Sequence, residues 1–224
     1  MKKVLIIMAS IMLCGVVHAN LVVNGSFENG TVGVYAGTDL PKSDSAIPGW
    51  RIYDTTFAAV TYELVSDALE ATDGNNYVKI TSTTTAQGPD SALDITQNGL
   101  GSVALSTGVN YTVSFDAKWV AGTDNNLALS IRTFDGNTIV EKLVTEGLSL
   151  TSDWATYSYE VTPTLLEDGG AEPNFYIGFR PKGANMLDET FYIDNVQVIP
   201  EPATMGLVGI AGIALFGMRR FLSK

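Results

Sequence analysis

The 224-residue chain contains a single cysteine and a single histidine, Cys14 and His18, and both fall in its first nineteen residues. That stretch opens on the basic Met1-Lys2-Lys3, runs apolar from Val4 to Val17 and ends on Val17-His18-Ala19. It has the layout of an exported leader, with cleavage by signal peptidase expected before Asn20. Leu13 stands where a lipidated cysteine has a small neighbour, so Cys14 does not mark a lipid anchor. Loss of the leader removes every thiol and imidazole from the chain. Disulfides, zinc held by Cys or His, a cysteine nucleophile and a Ser-His-Asp triad are then all excluded. Positive charge is scarce as well: residues 20–200 hold eight Lys and Arg against 23 Asp and Glu, a net of −15. Such a surface repels nucleic acid, stays soluble and suits divalent cations. A phosphate-cradling loop is missing too, because Gly99-Leu100-Gly101 has neither the trailing glycine nor a following helix. What remains is carboxylate chemistry, or binding without chemistry.

Long helical periods are absent from residues 20–200, and so are internal repeats and linkers longer than a turn. About 180 residues suffice for one sizeable core. Short runs rich in Val, Thr, Tyr, Phe and Ile recur near every ten residues, broken by Gly, Asn and Asp. They predict strands at Leu21–Asn24, Trp50–Asp54, Ala58–Ser66, Tyr77–Thr84, Ala92–Thr96, Asn110–Val120, Leu127–Phe134, Ile139–Val144, Trp154–Thr162, Asn174–Arg180 and Thr190–Ile199. In Tyr111–Trp119 every odd position is apolar and every even one polar, and Phe175–Arg180 alternates likewise, with Phe175, Ile177 and Phe179 inward and Tyr176 and Arg180 outward. One face of each strand is therefore core and the other wet. Eleven such strands predict an all-β fold, a two-sheet antiparallel sandwich of jelly-roll type.

The end of the chain has a different character. Pro200-Glu201-Pro202 is followed by an apolar run, Met205–Met218, and then by Arg219-Arg220. The prolines stop the preceding strand and hold the chain extended, which predicts that Glu201 is displayed on a stiff stalk. Fourteen residues span about 21 Å as a helix, a marginal single transmembrane helix against a hydrocarbon core of about 30 Å. Basic residues beyond it place the upstream chain outside the inner membrane.

Two resemblances follow from these residues. The triplet Pro200-Glu201-Pro202, the glycine-rich helix over 205–218 and the Arg219-Arg220 cluster resemble the PEP-CTERM sorting signal of exosortase substrates. The likeness implies a Gram-negative exporter, processing by exosortase near the triplet and a membrane tether that lasts only until then. The second resemblance is carried by Asn24-Gly25-Ser26-Phe27-Glu28, Ile47-Pro48-Gly49-Trp50 and Tyr192-Ile193-Asp194-Asn195-Val196. These are similar to the galactose-binding-like jelly rolls that include carbohydrate-binding modules of families 4, 9 and 22. That likeness implies neighbouring first and last strands and a structural calcium ion held by the Glu28 and Asp194 side chains, with Asn24 and Ser26 as backbone ligands. The alternative is that the two carboxylates accept N–H bonds from turns.

Sugar binding needs aromatic faces together with amides and charged groups. Asp116, Arg132, Phe134, Tyr176 and Arg180 fall on outward positions of the alternating strands and form the candidate ligand set, alongside Lys118 and Glu160. Trp50, Trp119 and Trp154 are the other possible platform, although Trp119 is in register with the core positions Val113 and Phe115. A glycosidase would need two facing acids, for which Asp116 and Glu160 are the pair to name. The sequence thus predicts a leader (1–19), a sandwich (20–199) and a sorting tail (200–224). Together they describe an exported, non-catalytic surface or matrix protein whose partners are signal peptidase, exosortase, the membrane through its tail, and polysaccharide. A structural biofilm component without a sugar ligand and a carboxylate-dependent glycan enzyme are the alternatives.

Overall fold

The computed structural model describes residues 20–36, 47–54, 60–82, 91–95, 105–135, 138–164, 174–181 and 188–201. The leader, the apolar tail and the predicted sorting residues Pro202, Arg219 and Arg220 lie outside them. Residues 20–199 form one compact unit, and among the described residues it is all strand, with no helix. In chain order the strands are β1 (Gly33–Ala36), β2 (Arg51–Asp54), β3 (Val60–Ser66), β4 (Asn76–Ser82), β5 (Ser91–Ile95), β6 (Tyr111–Ala121), β7 (Asn126–Asp135), β8 (Thr138–Ser149), β9 (Ala155–Val161), β10 (Asn174–Pro181) and β11 (Thr190–Pro200). They build a six-stranded sheet in the order β1-β3-β4-β11-β6-β9 and a five-stranded sheet in the order β2-β5-β10-β7-β8.

Alternation along the strands decides what faces what. Val113, Phe115 and Ala117 of β6 are fully buried, as are Ile177 and Phe179 of β10 and Leu127, Leu129 and Ile131 of β7. These residues meet between the sheets. Phe115 stands edge-on to Phe179 across the gap, with ring centroids 4.8 Å apart, and Trp50 and Phe27 extend the aromatic line at 6.3 and 5.0 Å. Edge-to-face contacts of this kind contribute about 1 kcal/mol each beyond the area they bury.

The first predicted strand is not one. Leu21–Asn24 is a turn, because Asn24 and Phe27 both adopt positive φ (56° each) and bend the chain. It still lies beside β11, where the Leu21 N–H donates to the Val198 carbonyl and the Val196 N–H donates to the Gly25 carbonyl. Asn20 fastens the same contact with its side chain, donating to the Val196 carbonyl and accepting from the Val198 N–H. The neighbouring ends expected of the jelly roll are thus present. The unforeseen strand is β1, whose glycine start and four-residue length hide any period.

β11 departs from strict alternation. Ile193 and Val196 are both fully buried, three positions apart rather than two, and Asn195 between them has φ 50°. The extra residue turns Asp194 inward, where it is completely buried. β11 ends at Pro200 as the prolines require, but Glu201 follows the strand directly and is half-buried, not displayed on an exposed stalk.

Candidate functional site

Asp194 and Glu28 both reach the turn that joins β3 to β4. Asp194 Oδ2 accepts the Thr72 N–H at 2.8 Å, the Thr72 hydroxyl at 3.0 Å and the Asp73 N–H at 3.0 Å. Its Oδ1 takes the Asn195 N–H at 2.7 Å. Glu28 Oε1 accepts the Asn75 and Asn76 N–H groups at 2.7 and 2.8 Å. Asn24 turns its side chain elsewhere, bonding Asn29 and the Pro48 carbonyl, while Ser26 lies in the same turn as Asn24. The two carboxylates are thus supplied with N–H donors, and among the described residues no three acidic, His or Cys side chains cluster.

Burial pushes the Asp194 carboxyl up to about 6, against N–H bonds from Asp73, Asn195 and Thr72 that pull it down. Burial also raises Glu28, but the Asn75 and Asn76 donors outweigh it and hold that group below its ordinary value. The two act oppositely on stability. A carboxyl raised in the folded state stabilises fully below its unfolded value near 3.8, and the contribution is lost as pH climbs through the folded value. A lowered one stabilises at higher pH and is lost on acidification. In chelator, the difference in melting temperature between the wild type and Asp194→Asn should therefore shrink as pH rises from about 4 to 6. The limit set by that shift is about 3 kcal/mol. A pH-independent difference would mean that the group titrates normally.

A different surface gathers most of the predicted ligand set. Tyr176, Arg132 and Lys142 stand in register on β10, β7 and β8. Two positions along, about 7 Å away, a second row runs Arg51, Asp94, Gly178, Ser130, Thr145 across all five strands. Arg180, Ala128 and Gly147 follow in the third. These rows face away from the core. The key element is Gly178: a Cβ there would overlap the Tyr176 hydroxyl and ring, so the tyrosine lies flat along its own strand. The Arg132 guanidinium sits over that ring at 5.7 Å. The flat aromatic and a floor of Gly, Ala and Ser make a shallow trough across the sheet. Phe134 pairs with Asn174 in the backbone register of β7 and β10.

Asp116 does not join them. It belongs to the six-stranded sheet and is buried, accepting the Thr156 hydroxyl at 2.5 Å and the Asn195 amide at 3.1 Å. Alternation gave its direction correctly, but the slip in β11 roofs it with Asn195. Its suggested acid partner, Glu160, pairs with Thr112 while Asp116 pairs with Thr156. That offset of four residues is about 13 Å, so the two do not face each other across a cleft.

The tryptophans are occupied. Trp50 is core and donates to the Asn24 carbonyl, and Trp119 donates to the buried Glu189. Glu189 also takes the Thr123 and Asp124 N–H groups, an anchor for the β6–β7 turn that no sequence pattern announced. Trp154 packs with Tyr77 and Tyr192 around the Lys118 ammonium, which pairs with Glu70. Arg51, Gly178, Ser130 and Lys142 are the residues of the trough that sequence reasoning missed.

A family model described as a carbohydrate binding domain matches residues 19–183, and one for the PEP-CTERM protein-sorting motif matches residues 198–220. No curated protein matches the chain in sequence. Among solved structures, the CBM22-1 xylan-binding domain of Paenibacillus barcinonensis Xyn10C is similar at 15% identity and TM-score 0.51, covering 82% of this chain and 95% of that one. A cyclase from Fischerella sp. TAU is similar at 16% identity and TM-score 0.54, covering 81% and 96%. The arabinose-bound α-L-arabinofuranosidase MgGH51 matches at 14% and 0.53, over 84% of this chain but 27% of that one. At these identities the likeness is one of fold, and the fold serves binding modules and enzymes alike.

Proposed function

The chain belongs to the carbohydrate-binding-domain family matched over residues 19–183 and ends in a PEP-CTERM sorting motif, and from that premise we propose that it is an exported, non-catalytic surface protein that holds polysaccharide on the outer face of its five-stranded sheet. One observation carries the reading: Tyr176 is laid flat over Gly178 in a trough crossing all five strands, with the Arg132 guanidinium 5.7 Å from the ring centre. A flat, half-buried aromatic can offer its open face to the apolar side of a sugar ring, and charged side chains at its edge take hydroxyls. On the other sheet Asp116 and Glu160 are out of register, which removes that pair as a glycosidase pair.

Sorting completes the proposal. The leader directs export, the tail holds the chain at the inner membrane, and exosortase acts at Pro200-Glu201-Pro202, leaving the domain at the cell surface or in a biofilm matrix. Calcium belongs to the proposal only through Glu28 and Asp194. A melting temperature raised by calcium in the wild type and unmoved in Asp194→Asn would support it. No rise in either would leave the N–H bonds as the whole account.

The test of the glycan site is titration of wild type, Tyr176→Ala and Gly178→Val against a panel of polysaccharides. Tyr176→Ala should lose about tenfold in affinity or more, the value of one stacked aromatic. Gly178→Val should do the same by lifting the ring while the core is untouched. Binding that survives both changes would place the sugar elsewhere or leave the structural-component reading in its stead.

A further inference from the structure

An asparagine followed by glycine is a place where a chain can react with itself, because the glycine carries no side chain to keep its nitrogen from the neighbouring amide. Two such pairs fall among the described residues, Asn24-Gly25 and Asn29-Gly30, both in the segment that opens the domain. Their surroundings are opposite. Asn24 is tied down: its Nδ2 donates to the Asn29 and Pro48 carbonyls at 2.7 and 2.9 Å, and its Oδ1 accepts the Asn29 N–H at 2.9 Å. Gly25 is buried against the Val196 carbonyl, and its own carbonyl accepts the Val196 N–H. Asn29 and Gly30 are both exposed, and among the described residues nothing bonds the Asn29 side-chain amide or the Gly30 N–H. The bond from Asn24 Nδ2 to the Asn29 carbonyl also draws charge out of the Asn29-Gly30 peptide, which makes the Gly30 N–H easier to deprotonate.

We propose that Asn29 is a self-modifying site, selected by the fold over Asn24 for spontaneous deamidation. The Gly30 nitrogen gives its proton to hydroxide and bonds to Asn29 Cγ. The Cγ–Nδ2 bond then breaks, and the departing nitrogen takes a proton from water and leaves as ammonia, which restores the hydroxide. Water adds to either carbonyl of the cyclic imide and opens it to aspartate or to isoaspartate. The sequence of steps needs neither an oxidant nor an enzyme. Either product sets a new carboxylate next to Glu28, the group that holds the Asn75 and Asn76 N–H groups. In the isoaspartate the main chain runs through the former side chain, so the carbonyl that Asn24 grips is no longer part of the chain. That loosens the lead into β1, a four-residue strand at the edge of its sheet.

The experiment ages the full-length protein at neutral and at mildly alkaline pH, beside the same protein unfolded in urea. Cleavage after Glu28 separates the two asparagines, and mass spectrometry with enzymatic methylation of isoaspartate reads each one. In the folded protein Asn29 should convert at least about tenfold faster than Asn24, whose three side-chain bonds must break before it reacts. In urea the two rates should agree within about threefold, since the bonds that distinguish them are gone. The Asn29 rate should rise with pH, and Asn29→Gln should abolish the change at that position while leaving the melting temperature as it was. Equal rates in the folded protein, or a faster Asn24, would overturn selection by the fold. An Asn29 that stays intact while the unfolded chain converts would do the same. Ammonia released without isoaspartate would mean direct hydrolysis of the amide and would rule out the cyclic route. Hydrogen exchange at Gly33–Ala36 that is no faster after conversion would refute the loosening of β1.

Discussion

Asp194→Ala should lower the melting temperature by on the order of 10 °C. Four donors, the Thr72 N–H and hydroxyl and the N–H groups of Asp73 and Asn195, end on this one buried carboxylate. An alanine takes the acceptor of all four away in a part-buried site. Removing one side of a buried charged cluster costs about 3–5 kcal/mol. In a domain of this size each kcal/mol is worth about 2–4 °C. The exposed Asp153→Ala, expected to stay within about 0.5 kcal/mol, is the control. If the two variants melted together, the β3–β4 turn would have to be held by something other than Asp194.

Gly25→Ala should be as damaging, for a reason of backbone and not of side chain. A Cβ at Gly25 would overlap the Val196 carbonyl oxygen, an atom that cannot rotate away. The segment would have to leave β11, breaking the Val196 N–H bond to Gly25 and the Asn20 amide bond to Val196. Phe27, fully buried two residues later, would be drawn from the core with it. Overpacking against backbone and partial loss of one large aromatic together cost about 3–5 kcal/mol. A urea midpoint that falls with an unchanged slope would report that loss. An unchanged midpoint would show that the N-terminal segment contributes little to the fold.

Much of this was legible in the residues. The alternation of Tyr111–Trp119 and of Phe175–Arg180 set which side chains meet in the core, and the two Asn- and Asp-bearing end motifs implied that the chain ends meet. Where reading failed, a local period was asked for what it does not carry. Asp116 points outward as its position requires, yet Asn195 reaches over it because β11 slips by one residue, and the period of β6 alone carries no sign of what the neighbouring strand does. Arg51 begins a strand of four residues, too short for a period to show its face. Gly178 reads as a weak point in a strand, and only the three-dimensional arrangement shows it as the clearance that lets Tyr176 lie flat. The tail residues beyond Glu201 were readable as a motif, and the family match over 198–220 agrees.

The place of β11 bears on when the domain can exist at all. It is the last strand of the chain and an interior strand of its sheet, between β4 and β6. Until residues 190–200 are out of the exporter, the β1-β3-β4 half and the β6-β9 half have nothing to join them, and the opening segment at Asn20 has no strand to lie against. Completion of the sandwich therefore waits for the stretch immediately before the sorting motif. A chain truncated anywhere upstream lacks at once its keystone strand and its address, so the only molecules that carry the signal are those with every piece needed to fold.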